Sequence, residues 1–233
     1  MSDAQDRVRG VRELPLFPLP VVLFPGVPLP LHIFEPRYRQ MLIDVRVSDN
    51  LFGLSYFDVS ESEQDHPPAG HIGCVAEVTE VQPMPDGRSN ILTLGLTRYR
   101  VESYVEKEMP YLVARVEFFE DEAEDEELLK RRSDDVTDLF VRIARAVRVI
   151  NDERATLPAL PETEPERLSF LIAAAMEIDV EVKQELLELR STAERLKRLR
   201  DLMSRAVPNY EERARMHEIA RGNGHAGKKI EIE

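Results

Sequence analysis

Seven prolines lie between residues 15 and 36, at positions 15, 18, 20, 25, 28, 30 and 36, and they restrict what this chain can fold into more than any other feature. Proline fixes φ and has no N–H, and a polyproline ligand is one reading of such a stretch. Yet the residues between the prolines are apolar: Leu16, Phe17, Leu19, Val21, Val22, Leu23, Phe24 and Leu29. A polyproline ligand would hold those side chains in solvent, whereas a folded domain buries them. The segment therefore reads as the edge and incoming loops of a β-barrel.

The rest of the first half agrees with a barrel. Val21–Phe24, Leu51–Phe57, Gly73–Val81, Asn90–Tyr99 and Tyr111–Phe119 are rich in Val, Ile, Leu, Phe and Tyr and are separated by turn residues. Met84-Pro85-Asp86-Gly87 predicts a hairpin turn, because proline presets the first torsion and glycine accepts a positive φ. Gly95, inside a strand pattern, predicts a bulge or a close backbone approach. After Pro36, the spacing of Tyr38, Met41, Leu42 and Val45 predicts one short helix. Residues 1–10 are polar and read as loose. The first domain is set at 11–119.

From about Asp121 the period changes to that of helices. The acidic run from Glu120 to Glu127 suits the positive end of a helix dipole. Val136, Phe140, Ile143, Val147 and Ile150 form the apolar stripe of the helix that follows. A proline-rich loop, Leu157 to Pro165, stops it. The next helix opens with Thr163 as cap, Pro165 in its first turn and Glu166 completing a capping box. Asp179 caps a third helix, whose stripe continues from Val182 to Met203 until Pro208 ends it. This gives a bundle of about three helices over 121–206. A short helix within Tyr210–Arg221 and a flexible tail with Lys228 and Lys229 complete 207–233. The acidic run and the loop Asn151–Pro165 are the expected sites of proteolytic nicking. The fold class is α+β: a β pseudo-barrel with one short helix, then the bundle.

Charge and chemistry narrow the function. The net charge is −13. Residues 1–119 hold 11 Lys and Arg against 17 Asp and Glu, and the remainder hold 20 against 27, so neither half has the basic field that nucleic-acid phosphates require. Cys74 is the single cysteine. Acidic Asp3, Asp6 and Glu13 stand where a signal peptide would be basic, and no apolar run approaches a membrane span. The expectation is a cytoplasmic protein without nucleic-acid or membrane partners. No phosphate-binding loop, zinc-protease motif or nucleophile elbow is present. His71 and Cys74 have ligand spacing but no second pair, so Cys74 reads as a small buried hydrophobe and no metal is expected. His32 reads as a satisfied core or boundary histidine. No cofactor and no catalytic residue is expected.

Three blocks carry a resemblance. The first runs Leu14-Pro15-Leu16-Phe17-Pro18-Leu19, Val22-Leu23-Phe24-Pro25-Gly26 and Leu29-Pro30-Leu31-His32-Ile33-Phe34-Glu35-Pro36-Arg37-Tyr38. The second joins Gly73-Cys74-Val75-Ala76, Asp86-Gly87-Arg88-Ser89-Asn90-Ile91 and Gly95 to Val101, and the third is Phe170-Leu171 with Lys183 to Glu188. Together, over about residues 12–205, they resemble the N-terminal, substrate-binding domains of Lon proteases. The resemblance implies a PUA-like pseudo-barrel followed by helices, and a role in recognising unfolded polypeptides. The ATPase, peptidase and RING elements that accompany such domains elsewhere are absent from this sequence. With no tryptophan, the aromatic cage of cereblon-type domains cannot form. Pro25, Gly26, Phe34, Glu35, Pro36, Arg37, Tyr38, Asp86, Gly87 and Arg88 are the family-motif positions and read as structural first: Glu35 at the helix start suits the dipole, and Gly26 suits a turn.

The leading functional expectation is a non-catalytic module, an adaptor or a chaperone-like protein, whose partners are unfolded or partly folded polypeptides and a protease or chaperone. Its docking face is placed at Phe24, Val27, Leu29 and Leu31. The alternatives are an enzyme with an unrecognised site between barrel and bundle, and an RNA-binding PUA-like protein. An exposed apolar patch, a deep pocket with convergent titratable groups, and a basic stripe distinguish the three.

Overall fold

The computed structural model describes residues 3–57, 66–153 and 163–224. Most of the loop Leu157 to Pro165 and the lysine-bearing tail lie outside them. The chain divides into two compact units, Met1–Ala123 with Glu166–Ser191, and Glu124–Pro165 with Thr192–Glu233.

The first unit is built on six strands: β1 (Glu13–Leu19), β2 (Pro28–Ile33), β3 (Leu51–Tyr56), β4 (Ile72–Pro83), β5 (Ser89–Tyr104) and β6 (Leu112–Phe119). Their order is β2-β5-β4-β3-β1-β6, and β6 also pairs with β5. The strands β1, β3, β4, β5 and β6 therefore close a ring. β2 hangs from the first half of β5, and β1–β3 is the parallel pair. Closure leaves β2 as the edge strand.

One strand lies inside the sheet where the prolines predict an edge. β1 carries Pro15 and Pro18 and yet lies between β3 and β6. The reason is a staggered register. β6 pairs with Glu13 to Leu16 and β3 with Leu16 to Leu19, so each proline has a ladder on one side only. Val21–Phe24, expected as a strand, is not one. It buries Leu23 and Phe24 in the interior and leads into a backbone contact with β5, where Gly26 N–H donates to Gly95 O (2.8 Å) and Gly95 N–H donates to Val27 O (3.0 Å).

That contact explains Gly95. A methyl group there would collide with the Phe24 carbonyl oxygen, and the β4–β5 register shifts alongside it, between Cys74 and Ala76. Both the bulge and the close approach expected of this glycine are present. The β4–β5 turn also follows expectation: Gly87, at φ 81°, donates to Met84 O (3.0 Å), and Met84 N–H donates to Arg88 O (2.8 Å).

Two helices precede the long helical segments. α1 (Asp3–Arg7) is followed by Val8, which packs into the cluster of Leu14, Leu16, Val75 and Tyr99. The N-terminal residues expected to be loose are thus anchored by one apolar side chain and by the ion pair of Arg7 with Glu77. α2 (Pro36–Arg46) buries Tyr38, Met41, Leu42 and Val45, the four positions read from the spacing, against Phe17, Phe52 and Leu54. Cys74 is fully buried on β4, as a small hydrophobe, and burial pushes its thiol pKa up.

α4 (Pro165–Ala175) and α5 (Val180–Glu188) belong to the barrel unit. The bundle expected over 121–206 is accordingly divided between the two units. The helical stripe from Val182 to Met203 is also broken, because Leu189 is extended. Arg98 on β5 supplies the cause. Its guanidinium, 1% exposed, donates to Leu187 O (3.0 Å) and to Leu189 O, and pairs with Asp121. It stacks over Phe119 (4.7 Å) and Phe170 (5.3 Å). Leaving the helix frees carbonyls at the end of α5 for this buried cation.

The second unit pairs α3 (Glu126–Ile150) with α6 (Thr192–Gly224). The helices run in the same direction: Arg132 reaches Ala193 O, Arg142 makes a two-pronged contact with Glu211 (2.9 and 3.1 Å), and His217 and Arg221 both reach Asp152. Pro208 does not end the helix; it sits inside α6. The buried neighbours Met203, Val207 and Ala214 hold the helix on, so packing outweighs a cost of about 3 kcal/mol for an interior proline. The acidic run is tied down as well. Asp125 caps α3 through Leu128 N–H (2.7 Å), Glu124 accepts from Ala193 N–H (2.9 Å), and Glu122 N–H donates to Arg190 O (2.8 Å). These bonds argue against early nicking within it.

His71, half-buried at the start of β4, has its Nε2 buried without a hydrogen-bond partner, and burial lowers its pKa to about 4. Between about pH 6.5 and 4 the unfolded chain binds a proton that the folded state excludes, so stability rises with pH across that window. A His71→Leu variant is expected to flatten the stability profile there, as measured by urea midpoints against pH.

Candidate polypeptide-binding surface

The docking residues expected from sequence do not form one face. Phe24 is buried, with its ring 5.9 Å from that of Phe170, and offers nothing to solvent. Leu29 and Leu31 are half-buried and pack against the barrel core from β2, on the same side as buried Ile33. The intervening Pro28, Pro30 and His32 point outward. Val27 is half-buried beside the Gly26–Gly95 backbone contact. Leu29→Asp is therefore expected to place a carboxylate against apolar packing and to cost about 2 kcal/mol. Pro30→Asp, one residue on, should leave the melting curve nearly unchanged.

What this segment does expose lies on either side of β2. Val21, Phe34, Ile43 and Val47 are four of the exposed large hydrophobic residues, Phe34 at 57%, Ile43 at 59% and Val47 at 84%. Phe34 stacks on His32, with ring centroids 6.0 Å apart, and His32 Nδ1 lies 2.7 Å from Asn90 Oδ1. His32 is thus satisfied but exposed, a correction to its core or boundary placement: an edge strand gives it a neighbour on one side only.

The motif residues shape this surface. Glu35 precedes α2 without making a side-chain cap, and accepts instead from Arg37 Nε (2.9 Å). Arg37 also lies over the Tyr38 ring (4.5 Å), and burial raises the Tyr38 pKa. Pro36 opens the helix, where a missing N–H costs nothing. Tyr111 donates to Asp44 (2.7 Å), and its own pKa is pushed up to about 12 by burial and by that carboxylate. Asp86 accepts from the N–H and Nε of Arg88 (3.1 and 2.6 Å), which lowers its pKa and fixes the turn. Gly87 lies under the Arg39 guanidinium, and Pro25 and Gly26 lead the chain past Arg167. Ile43 on α2 and Val47 just after it are exposed, and the helical spacing of the buried stripe gives no sign of them.

Among the described residues no group of His, Cys, Asp or Glu is arranged to hold a metal ion, and no helix is long and apolar enough to cross a membrane. A cavity of about 580 Å³ near the end of α3, lined by Ile150, Arg213, Met216 and His217 among others, is open to solvent.

The family model described as the ATP-dependent protease La (LON) substrate-binding domain matches residues 13–205. The Lon protease of Brevibacillus choshinensis is 29% identical over 198 residues, covering 84% of this chain and 25% of that protein. Lon protease 2 of Myxococcus xanthus is 29% identical over 202 residues, covering 82% and 23%. The chain thus spans about a quarter of the length of the curated relatives it matches. Two solved structures share the fold. A Lon N-terminal domain protein from Xanthomonas campestris has a TM-score of 0.57 at 21% identity, covering 81% of this chain and 97% of that one. The N-terminal domain of Mycobacterium avium complex Lon protease has a TM-score of 0.61 at 19% identity, covering 83% and 98%.

Proposed function

Because this chain belongs to the family of Lon substrate-binding domains, we propose that it is a non-catalytic polypeptide-binding module, acting as an adaptor or chaperone-like protein on unfolded or partly folded chains in the cytoplasm. The observation that carries this reading is the set of exposed apolar side chains, Val21, Phe34, Ile43 and Val47, gathered in the family-motif segment and its helix. Single exposed hydrophobic residues are ordinary on a protein surface, whereas several that join into one patch mark an interaction site. An unfolded client offers apolar side chains that a folded protein hides.

Affinity is expected in the micromolar range or weaker, because ordering a flexible client costs several kcal/mol. The test is fluorescence anisotropy of a labelled, permanently unfolded model protein titrated with the full chain, with the native form of the same protein as control. Saturable binding of the unfolded form alone supports the proposal. Equal binding of both forms, or of neither, refutes it.

A further inference from the structure

We propose that residues 3–10 are a built-in competitor, seated at one mouth of the barrel in a place that also takes client segments in which a basic residue precedes a short, branched apolar one. This rests on the polypeptide-binding reading above and adds to it a client class and a means of control.

The seat is made by the strands. Alternate side chains of the five ring strands turn inward, Leu14, Leu51, Val75, Tyr99 and Ala114 among them, and Val8, 3% exposed, joins that cluster from outside the ring. Glu77 stands at the same mouth: on β4 it lies two residues beyond Val75, and it is in register with Leu51 on β3. Arg7 forms an ion pair with it. Deeper in the ring Tyr99 fills the middle. Its hydroxyl lies 2.7 Å from that of Ser55, and a methyl group added at Gly53 or Gly73 would meet it at 2.6 or 2.5 Å. A side chain entering the mouth is therefore stopped short, which favours valine over a long or aromatic residue.

The arm is an addition to the barrel rather than a part of it. It precedes the stretch that matches the family model, which starts at residue 13. β5 pairs with β6 and β6 with β1, so the ring closes without any ladder to the arm. Its hold on the barrel includes one buried aliphatic side chain and an ion pair whose members are 47% and 20% exposed, and such a pair contributes little. Gly10, at φ 84° with open space around it, turns the chain from the arm toward β1. A segment held this lightly opens locally, and a client that offers the same two groups meets the same partners. Arg7 and Val8 thus specify the client: a cation for Glu77 and a short apolar side chain for the mouth. A carboxylate in place of the cation would face Glu77 as a like charge.

The test uses the full chain, its V8D and R7E variants, and a labelled peptide that copies residues 3–10. By anisotropy, V8D should bind the peptide about tenfold more tightly than the wild type does, because the tethered arm no longer competes. The same peptide carrying Val8→Asp should not bind. V8D/E77R should lose about tenfold for the original peptide and regain it for the peptide carrying Arg7→Glu. V8D should also bind the permanently unfolded model protein more tightly than the wild type does. Melting curves verify that V8D folds; if it does not, R7E carries the same comparison, with a gain of about threefold. A folded V8D that binds the peptide no better than the wild type overturns the proposal, as does peptide binding that E77R leaves unchanged. If the wild type and V8D bind the unfolded protein equally well, the polypeptide-binding reading stands and the arm is a structural seal alone; if neither binds it, both fall.

Discussion

Arg98→Met is expected to destabilise the barrel unit by about 3–5 kcal/mol, the range found when one partner of a buried ion pair is removed. The side chains of Arg98 and Asp121 are 1% and 4% exposed, so water cannot replace the lost partner. The substitution strips the guanidinium from a buried carboxylate and, in the same step, removes the donor that serves Leu187 O and Leu189 O. Met fills much of the apolar space over Phe119 and Phe170 but satisfies none of these acceptors. Five of the six tyrosines lie in the barrel unit, so near-ultraviolet circular dichroism during urea unfolding follows that unit. The control is Arg100→Met, two residues along the same strand, whose ion pair with Glu117 is long (3.6 Å) and exposed; it should cost less than about 1 kcal/mol. R98M/D121L should recover part of the loss, because it removes the stranded charge. If R98M and R100M cost the same, the buried network is not what seats α5 on the barrel.

Gly95→Ala is expected to be nearly as damaging, about 3 kcal/mol or more, at the upper end of overpacking costs. The added methyl meets the carbonyl oxygen of Phe24, and a backbone atom cannot swing aside as a side-chain tip can. Relief requires parting the two hydrogen bonds that join Gly26 and Val27 to Gly95, which also anchor the incoming segment of β2. Thermal melting of G95A against wild type measures the loss. Gly70→Ala is the comparison: an added methyl there has open space, so only the strain of its positive φ of 88° remains, about 1 kcal/mol. A G95A protein that melts with the wild type would show that the Phe24–Val27 segment is not pinned to β5.

These two residues also mark what sequence reasoning reached. Gly95 announced itself, since a glycine inside an apolar strand pattern has few explanations. α2 was legible because four buried side chains at helical spacing follow a proline, and the β4–β5 turn because Pro-Asp-Gly dictates backbone torsions locally. The role of Arg98 is hidden in the sequence: a buried cation satisfied by carbonyls 89 and 91 residues away leaves no local pattern. The break between α5 and α6 was invisible for the same reason, because the apolar stripe runs on unbroken through Leu189. β1 failed to read as an interior strand because proline forbids one ladder bond, and only the staggered register shows that no such bond is needed there. Pro208 misled in the opposite sense: its local cost was judged correctly, and tertiary packing of Met203 and Val207 overrode it.

Of the four residues expected to dock a client, Phe24 is buried and Val27, Leu29 and Leu31 are half-buried. Phe24 is as apolar as a client contact would need to be, yet it is buried, and Leu29 packs against the core from β2. Exposed Ile43 and Val47 look unremarkable in sequence because they sit beside better stripe positions. Distinguishing buried from exposed apolar residues on one short helix takes the barrel it packs on.

If the segment from Val21 to Val47 receives unfolded polypeptide, as we propose, client binding slows its hydrogen exchange. Hydrogen–deuterium exchange of the full chain, with and without a saturating permanently unfolded model protein, tests it most directly. Slowed exchange is expected in peptides covering β2 and α2, with the paired α3 and α6 unchanged. Protection confined to α3 and α6, or none anywhere despite saturable binding, would contradict it.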